Sequence, residues 1–337
     1  MPTRTVTIAA GIAAGLLAAK WVRRIPNLDL QNKTVFITGG SRGLGLALAR
    51  EFAKRGARIA ISARAGDELQ RAAAQLENVT SHVLTIEADV TMREEAESAI
   101  AKINERFGFV DVLVNNAGTI TVGPLETMTI DDFRESLNTH FWGPYFATMA
   151  VLPEMRRRGA GSIVNISSVG GKISVPHLLP YSVGKFALTG FSEGLRAELQ
   201  KDNIHVTTVC PGLMRTGSPR NALFKGKNEE EYAWFSISDS LPILSVAANR
   251  AARLIVDACV QGRAELILSF PAKFGCLLHG IMPGTTTEIL ALMNRLLPAA
   301  GGTGPIAKTG RQSTSKISPS WITTLNEQAA KQNNQIA

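Results

Sequence analysis

The chain has 337 residues, 45% of them hydrophobic and only 6% aromatic, which suits one large α/β domain with extensions or two small domains and argues against global disorder. Its formal net charge of +8 sits at the ends: residues 1–33 hold five Lys and Arg against one acid, and residues 298–337 four against one, leaving +1 for the 264 residues between. A nucleic-acid-binding domain carries its cations on the folded body, so this distribution argues against nucleic acid and fits an anionic membrane surface.

The first element is the uncharged run Val6–Ala19, followed by Lys20, Trp21, Val22, Arg23 and Arg24. Fourteen helical residues span about 21 Å, short of the roughly 30 Å of a bilayer core. A cleaved signal peptide would have only Arg4 as its basic region, and a core helix would need a polar face. A membrane anchor fits best, with Trp21 at the interface and the cations on the cytoplasmic side. Residues 1–31 are therefore predicted to be a hydrophobic segment and basic linker that hold the catalytic domain at a membrane, facing the cytoplasm.

From Lys33 short β-branched runs alternate with helical stretches. The strands are TVFIT (34–38), RIAIS (58–62), HVLTIE (82–87), DVLVN (111–115), SIVNIS (162–167), HVTTVC (205–210) and ELILS (265–269). Apolar spacing of 3.6 marks helices at 44–56, 67–78, 92–107, 180–201 and 245–261. Seven strands alternating with helices predict a Rossmann-like, doubly wound, seven-stranded parallel sheet with helices on both faces. Residues 32–270 form this single domain.

The first strand runs into Thr38, Gly39, Gly40, Ser41, Arg42, Gly43, Leu44 and Gly45. Glycines at a strand-to-helix turn let backbone approach a pyrophosphate, and the helix N-terminus adds free N–H groups and a positive dipole end. The second strand ends Ser62, Ala63, Arg64, where NAD users place an acid. Arg64 with Arg42 suits a ribose 2′-phosphate, whereas Asp67 falls in the first turn of the next helix, where acids are favoured anyway. The charge favours NADP(H) over NAD(H).

After the fifth strand comes Ser168, and thirteen residues on Tyr181-Ser-Val-Gly-Lys185. Tyr and Lys four apart share a helix face. A Lys ammonium ~4 Å from the phenol at an effective dielectric of 20 is worth about 4 kcal/mol, or about three units from the usual 10, while burial pushes the other way. A hydroxyl, a phenol and an ammonium at one point can move a proton beside a bound cofactor.

These motifs resemble the short-chain dehydrogenase/reductase superfamily across residues 33–270. The matching pieces are TGGSRGLG at 38–45, Asp89-Val90, Asn115-Asn116-Ala117-Gly118, Asn138, Ser168, YSVGK at 181–185 and Pro211-Gly212-Leu-Met-Arg-Thr216. The resemblance implies that Tyr181 protonates a carbonyl oxygen, Lys185 holds the nicotinamide ribose, Ser168 polarises the carbonyl and Asn138 supports a water relay. It also implies cofactor contacts from Thr38, Gly39, Ser41, Arg42, Gly43, Leu44, Gly45, Arg64, Asp89, Val90, Asn115, Ala117, Gly118, Tyr181, Lys185, Pro211, Gly212 and Thr216. Gly184 departs from the family pattern, which commonly has Ala or a small hydroxylated residue there. The five histidines and three cysteines have no metal spacing, and no metal is assigned.

Residues 213–241 lack strand character and read as a mobile loop with a short helix, either a substrate lid or a plain connection. Residues 271–298 are an apolar extension, with a helical stripe from Ile289 to Leu297 capped by Thr285 or Thr286, facing either a core or partner or a bilayer. Residues 299–337, rich in Gly, Ser, Thr, Asn and Gln, are predicted to be a flexible polar tail. Together these features predict a membrane-associated, NADPH-dependent carbonyl reductase, a homodimer or homotetramer, acting on a lipophilic ketone such as a 3-keto lipid, sphingoid or steroid. The alternatives are a soluble reductase of broad specificity and a non-catalytic NADP(H)-binding sensor.

Overall fold

A computed structural model describes residues 27–315 and 317–336. The run Thr34–Thr38 forms β1, buried along its whole length. It leads into α1 (Gly43–Lys54), β2 (Arg58–Ala63), α2 (Gly66–Glu77), β3 (Val83–Glu87), α3 (Arg93–Phe107) and β4 (Val112–Asn115). Then come α4 (Ile130–Leu137), α5 (Gly143–Arg158), β5 (Gly161–Ile166), α6 (Leu179–Leu199) and β6 (Ile204–Cys210). Residues 213–241 carry α7 (Asn228–Ser240), followed by α8 (Ala248–Val260) and β7 (Glu265–Ile267). The chain closes with α9 (Phe270–Ile281), α10 (Pro283–Asn294) and α11 (Thr324–Gln332).

The strands form one parallel sheet in the order β7-β6-β5-β4-β1-β2-β3. Alternation along β1 sends Val35 and Ile37 to one core, with Phe52, Ile61 and Ile255, and Phe36 to the other, with Ile103, Leu113 and Met155. A sheet covered on both faces needs apolar residues on both sides of each strand, which is why the strands read as continuous apolar runs. Strand order reverses between β1 and β4, opening a crevice at their carboxyl ends, where Thr38 and Asn115 lie.

Three regions differ from the sequence expectation. Residues 213–241 are packed: Leu213–Arg215 pairs with Ser245–Ala247, and α7 extends over thirteen residues. Aromatic residues drive this packing, because Phe224, Tyr232 and Phe235 bury together with Val122. The apolar extension is a hairpin of two helices rather than one capped helix. It turns at Met282, and Thr286 lies inside α10 with its hydroxyl on the Pro283 carbonyl. The polar tail is docked. Lys308–Thr309 adds antiparallel to Leu223–Phe224, and Asn333, Asn334 and Gln335 are buried. Its amides find partners in the backbone carbonyls of Ser41, Glu68 and Ala329, so a polar segment gains order without an apolar core.

Among the described residues no helix is long and apolar enough to cross a membrane. The Val6–Ala19 anchor expectation lies outside the described residues.

Candidate active site

The glycine turn is shaped by contact. Gly39 has φ +63, and a Cβ there would lie 2.8 Å from Ala117 Cα; a Cβ on Gly45 would lie 2.1 Å from the Gly39 carbonyl oxygen. Only glycine allows that approach. Thr38 stitches β1 to the loop after β4, its Oγ1 accepting from the N–H groups of Asn116 (3.0 Å) and Ala117 (3.1 Å). Asn116 returns the tie by donating to the carbonyls of Thr38 and Gly39. Arg42 is the N-cap of α1 and supplies no side-chain cap, which leaves first-turn N–H groups for an external acceptor. One oxygen already stands there: the Gly43 N–H donates to the Asn333 carbonyl at 2.8 Å.

The two cations expected to meet the cofactor, Arg42 and Arg64, are paired. Arg42 Nη1 lies 2.8 Å from Glu68 Oε1, and Ser41 Oγ donates to the same carboxylate. Arg64 is 71% exposed and 3.9 Å from Asp89. Asp67 turns away to Arg71, so Glu68 is the acid facing the turn. Of the other expected cofactor residues, Leu44 packs into the core and Val90 is buried. Asp89 shapes its own loop by accepting from Thr91. Asn115 spends its amide on Asn165 of β5 at 2.8 Å and on Thr148 of α5. A Cβ on Gly118 would touch the His140 ring at 3.0 Å. Pro211 anchors Val169 through its carbonyl, Gly212 lies beside Ser269, and the Thr216 hydroxyl accepts from Ser218.

The chemical trio converges. Ser168 follows β5 in extended backbone, with its Oγ accepting from Gly170 N–H at 3.0 Å. Tyr181 sits in the first turn of α6, and a Cβ on Gly170 would lie 3.2 Å from its ring and 3.4 Å from Ser168 Oγ. One turn on, buried Lys185 donates to the Ile166 carbonyl at 2.7 Å and lies 5.7 Å from the Tyr181 ring centroid. Burial pushes Tyr181 up to about 12, with the Ser168 hydroxyl pulling the other way. Burial pushes Lys185 down to about 7. Burial thus shifts both groups against the direction that the ammonium–phenol attraction alone would give, and the Tyr181 phenol moves up rather than down.

The expected fourth member changes. Asn138 is exposed. A π-turn covers Asn138–Trp142, and within it His140 faces inward. His140 is 1% exposed, its ring meets Tyr181 edge-on at 5.3 Å, and its Nε2 lies 2.9 Å from the Thr119 carbonyl. Burial first, then the Lys185 charge, hold it well below the usual histidine range. Its Nδ1 is buried and has no hydrogen-bond partner. The signal in the sequence was Ser136 and His140, polar and four apart: Ser136 Oγ donates to the Pro180 carbonyl at 2.6 Å, on the same face toward α6. Gly184 fits this contact, since a Cβ there would lie 2.5 Å from Ser136 Oγ and 3.1 Å from His140 Cβ.

The family model for short chain dehydrogenases matches residues 33–224. The chain belongs to that family. It is 38% identical over 225 residues to dehydrogenase/reductase SDR family member 7B of Danio rerio, covering 64% of this chain and 72% of the relative. It is 32% identical over 267 residues to the Mus musculus protein of the same name, covering 78% and 81%. In structure it is similar to L-sorbose reductase from Gluconobacter frateurii, solved with NADPH and L-sorbose. The TM-score is 0.64 at 28% identity, covering 72% of this chain and 97% of that one. The protein is thus an oxidoreductase of this family, on a fold that binds NAD(P)(H).

Proposed function

We propose that the protein is an NADPH-dependent carbonyl reductase with Tyr181 as its proton donor. The convergence of Ser168, Tyr181 and Lys185 at the crevice beside the glycine turn carries this reading. The donor set fits a dinucleotide: a helix N-terminus whose Gly43 N–H already holds an oxygen acceptor, with Arg42 and Arg64 beside it. When bound, NADPH supplies the hydride that reaches the carbonyl carbon. Tyr181, neutral at pH 7, gives its hydroxyl proton to the carbonyl oxygen, and Ser168 Oγ hydrogen-bonds that oxygen and orients it. Lys185, in its ammonium form, would lower the cost of the tyrosinate left behind. His140 positions the Tyr181 ring and stays neutral.

Two finer choices belong to the same reading. NADPH over NADH rests on Arg42 and Arg64, which Glu68 and Asp89 hold in place rather than replace. An oily ketone, met at a lipid surface, rests on the stripe Phe270, Phe274, Leu277 and Ile281, which is 59–80% exposed on α9 directly after β7. Initial rates of the purified full chain, with NADPH and NADH against long-chain 3-oxo compounds, steroid ketones and L-sorbose, test all three parts. Faster turnover of oily ketones with NADPH supports them. Faster L-sorbose turnover overturns the oily substrate, and equal rates with NADH overturn the phosphate reading.

A further inference from the structure

The buried C-terminal residues lie on the backbone groups that the cofactor reading requires. Asn333 offers its carbonyl to Gly43 N–H at 2.8 Å. Asn334 Nδ2 donates to the carbonyls of Ser41 (2.9 Å) and Glu68 (3.0 Å), while its Oδ1 accepts from Arg71 at 3.1 Å. Gln335 Nε2 stands 2.7 Å from the point a Gly43 Cβ would occupy. The other wall of the crevice holds the segment as well. Asn221 donates to Gln335 Oε1, Gly217 N–H donates to Asn326 of α11 at 3.0 Å, and Arg220 pairs with Glu327. The segment therefore runs from α11, docked on residues 217–221, across to the glycine turn.

We propose that residues 333–335 are a built-in strap that competes with the dinucleotide for the N-terminus of α1 and must lift before the cofactor binds. The proposal rests on the cofactor reading above. Its physical basis is exclusion: the Gly43 N–H can serve the Asn333 carbonyl or a phosphate oxygen, not both. A phosphate makes the stronger, charge-assisted bond, so the cofactor displaces the strap rather than being locked out. A strap closed in about nine molecules of ten raises the apparent Kd about tenfold. Asn334 at φ +55 is the hinge residue of the closed form, a conformation that a β-branched side chain resists.

NADPH titration of the full chain, followed by fluorescence, tests this with Asn334→Val and with Arg50→Ala. The first removes three hydrogen bonds. The second removes the guanidinium that donates to the Gln332 carbonyl (2.7 Å) and to Asn333 Oδ1 (3.3 Å). Both variants should bind NADPH about tenfold more tightly, and amide hydrogen exchange in residues 333–336 of the unaltered chain should quicken at saturating NADPH. Unchanged or weaker binding in both variants, or slower exchange in the tail on adding NADPH, overturns the strap while leaving the cofactor reading intact. If no form binds NADPH or NADH, both fall together.

Discussion

Replacing Lys185 by Met should stabilise the cofactor-free protein at pH 6 while destroying its activity. Lys185 is 4% exposed, and burial moves it from 10.5 to about 7. Holding its ammonium in the folded state below pH 7 therefore costs about 5 kcal/mol. Met has a similar length and no charge, but it leaves the Ile166 carbonyl without the 2.7 Å donor, a loss of about 1–3 kcal/mol. The net gain expected at pH 6 is about 2–4 kcal/mol. The folded pKa lies below the unfolded one, so between pH 7 and 10.5 the unfolded chain binds the extra proton. Wild-type stability from this group rises through that window, and the advantage of Met disappears by about pH 10. Urea unfolding of both proteins without cofactor, from pH 6 to pH 10, reads the difference. A Met variant less stable at pH 6, by an amount that does not change with pH, would refute the idea that burial dominates this site.

Two further outcomes concern the crevice. Arg64→Asp should weaken NADPH at least tenfold more than NADH in direct binding, because the contact proposed for Arg64 is a charge-assisted bond to the 2′-phosphate; equal losses would remove that assignment. His140→Phe keeps a ring against Tyr181 but abandons the Thr119 carbonyl, so kcat should fall about tenfold, as for the loss of one hydrogen bond, with little change in KM. In the wild type, kcat/KM should show no titration attributable to His140 between pH 5 and 8, because burial and Lys185 keep it neutral.

The sheet was legible because a strand buried on both faces must be apolar throughout: TVFIT occupies Thr34–Thr38 in both sequence and structure, and the other six strands shift by two residues at most. Ser168, Tyr181 and Lys185 were legible because a strand end and one helical turn leave little freedom in where they point. Asn138 failed for a different reason: it came from the family resemblance and not from spacing, and the helix face toward Tyr181 is carried by Ser136 and His140, four apart, with Asn138 between them exposed. The tail failed for another. Asn333, Asn334 and Gln335 look disordered by composition, but Asn333 and Asn334 bond backbone groups at Ser41, Gly43 and Glu68, and Gln335 bonds Asn221 and Arg311, all distant in the chain except Arg311. Glu68 was hidden beside Asp67, because which of two adjacent acids in a first turn faces the glycine loop depends on helix phase.

The central claim is that the Tyr181 hydroxyl supplies the proton while most of the cofactor's contacts come from other groups. Tyr181→Phe removes that proton with the hydroxyl's bond to Ser168 but leaves the rest of the cofactor's contacts, so NADPH should still bind with a Kd changed by no more than a few-fold while NADPH oxidation with a competent ketone falls by at least a thousandfold, in the range of general acid catalysis (about 10²–10⁴). Turnover retained in the Phe variant would contradict the account.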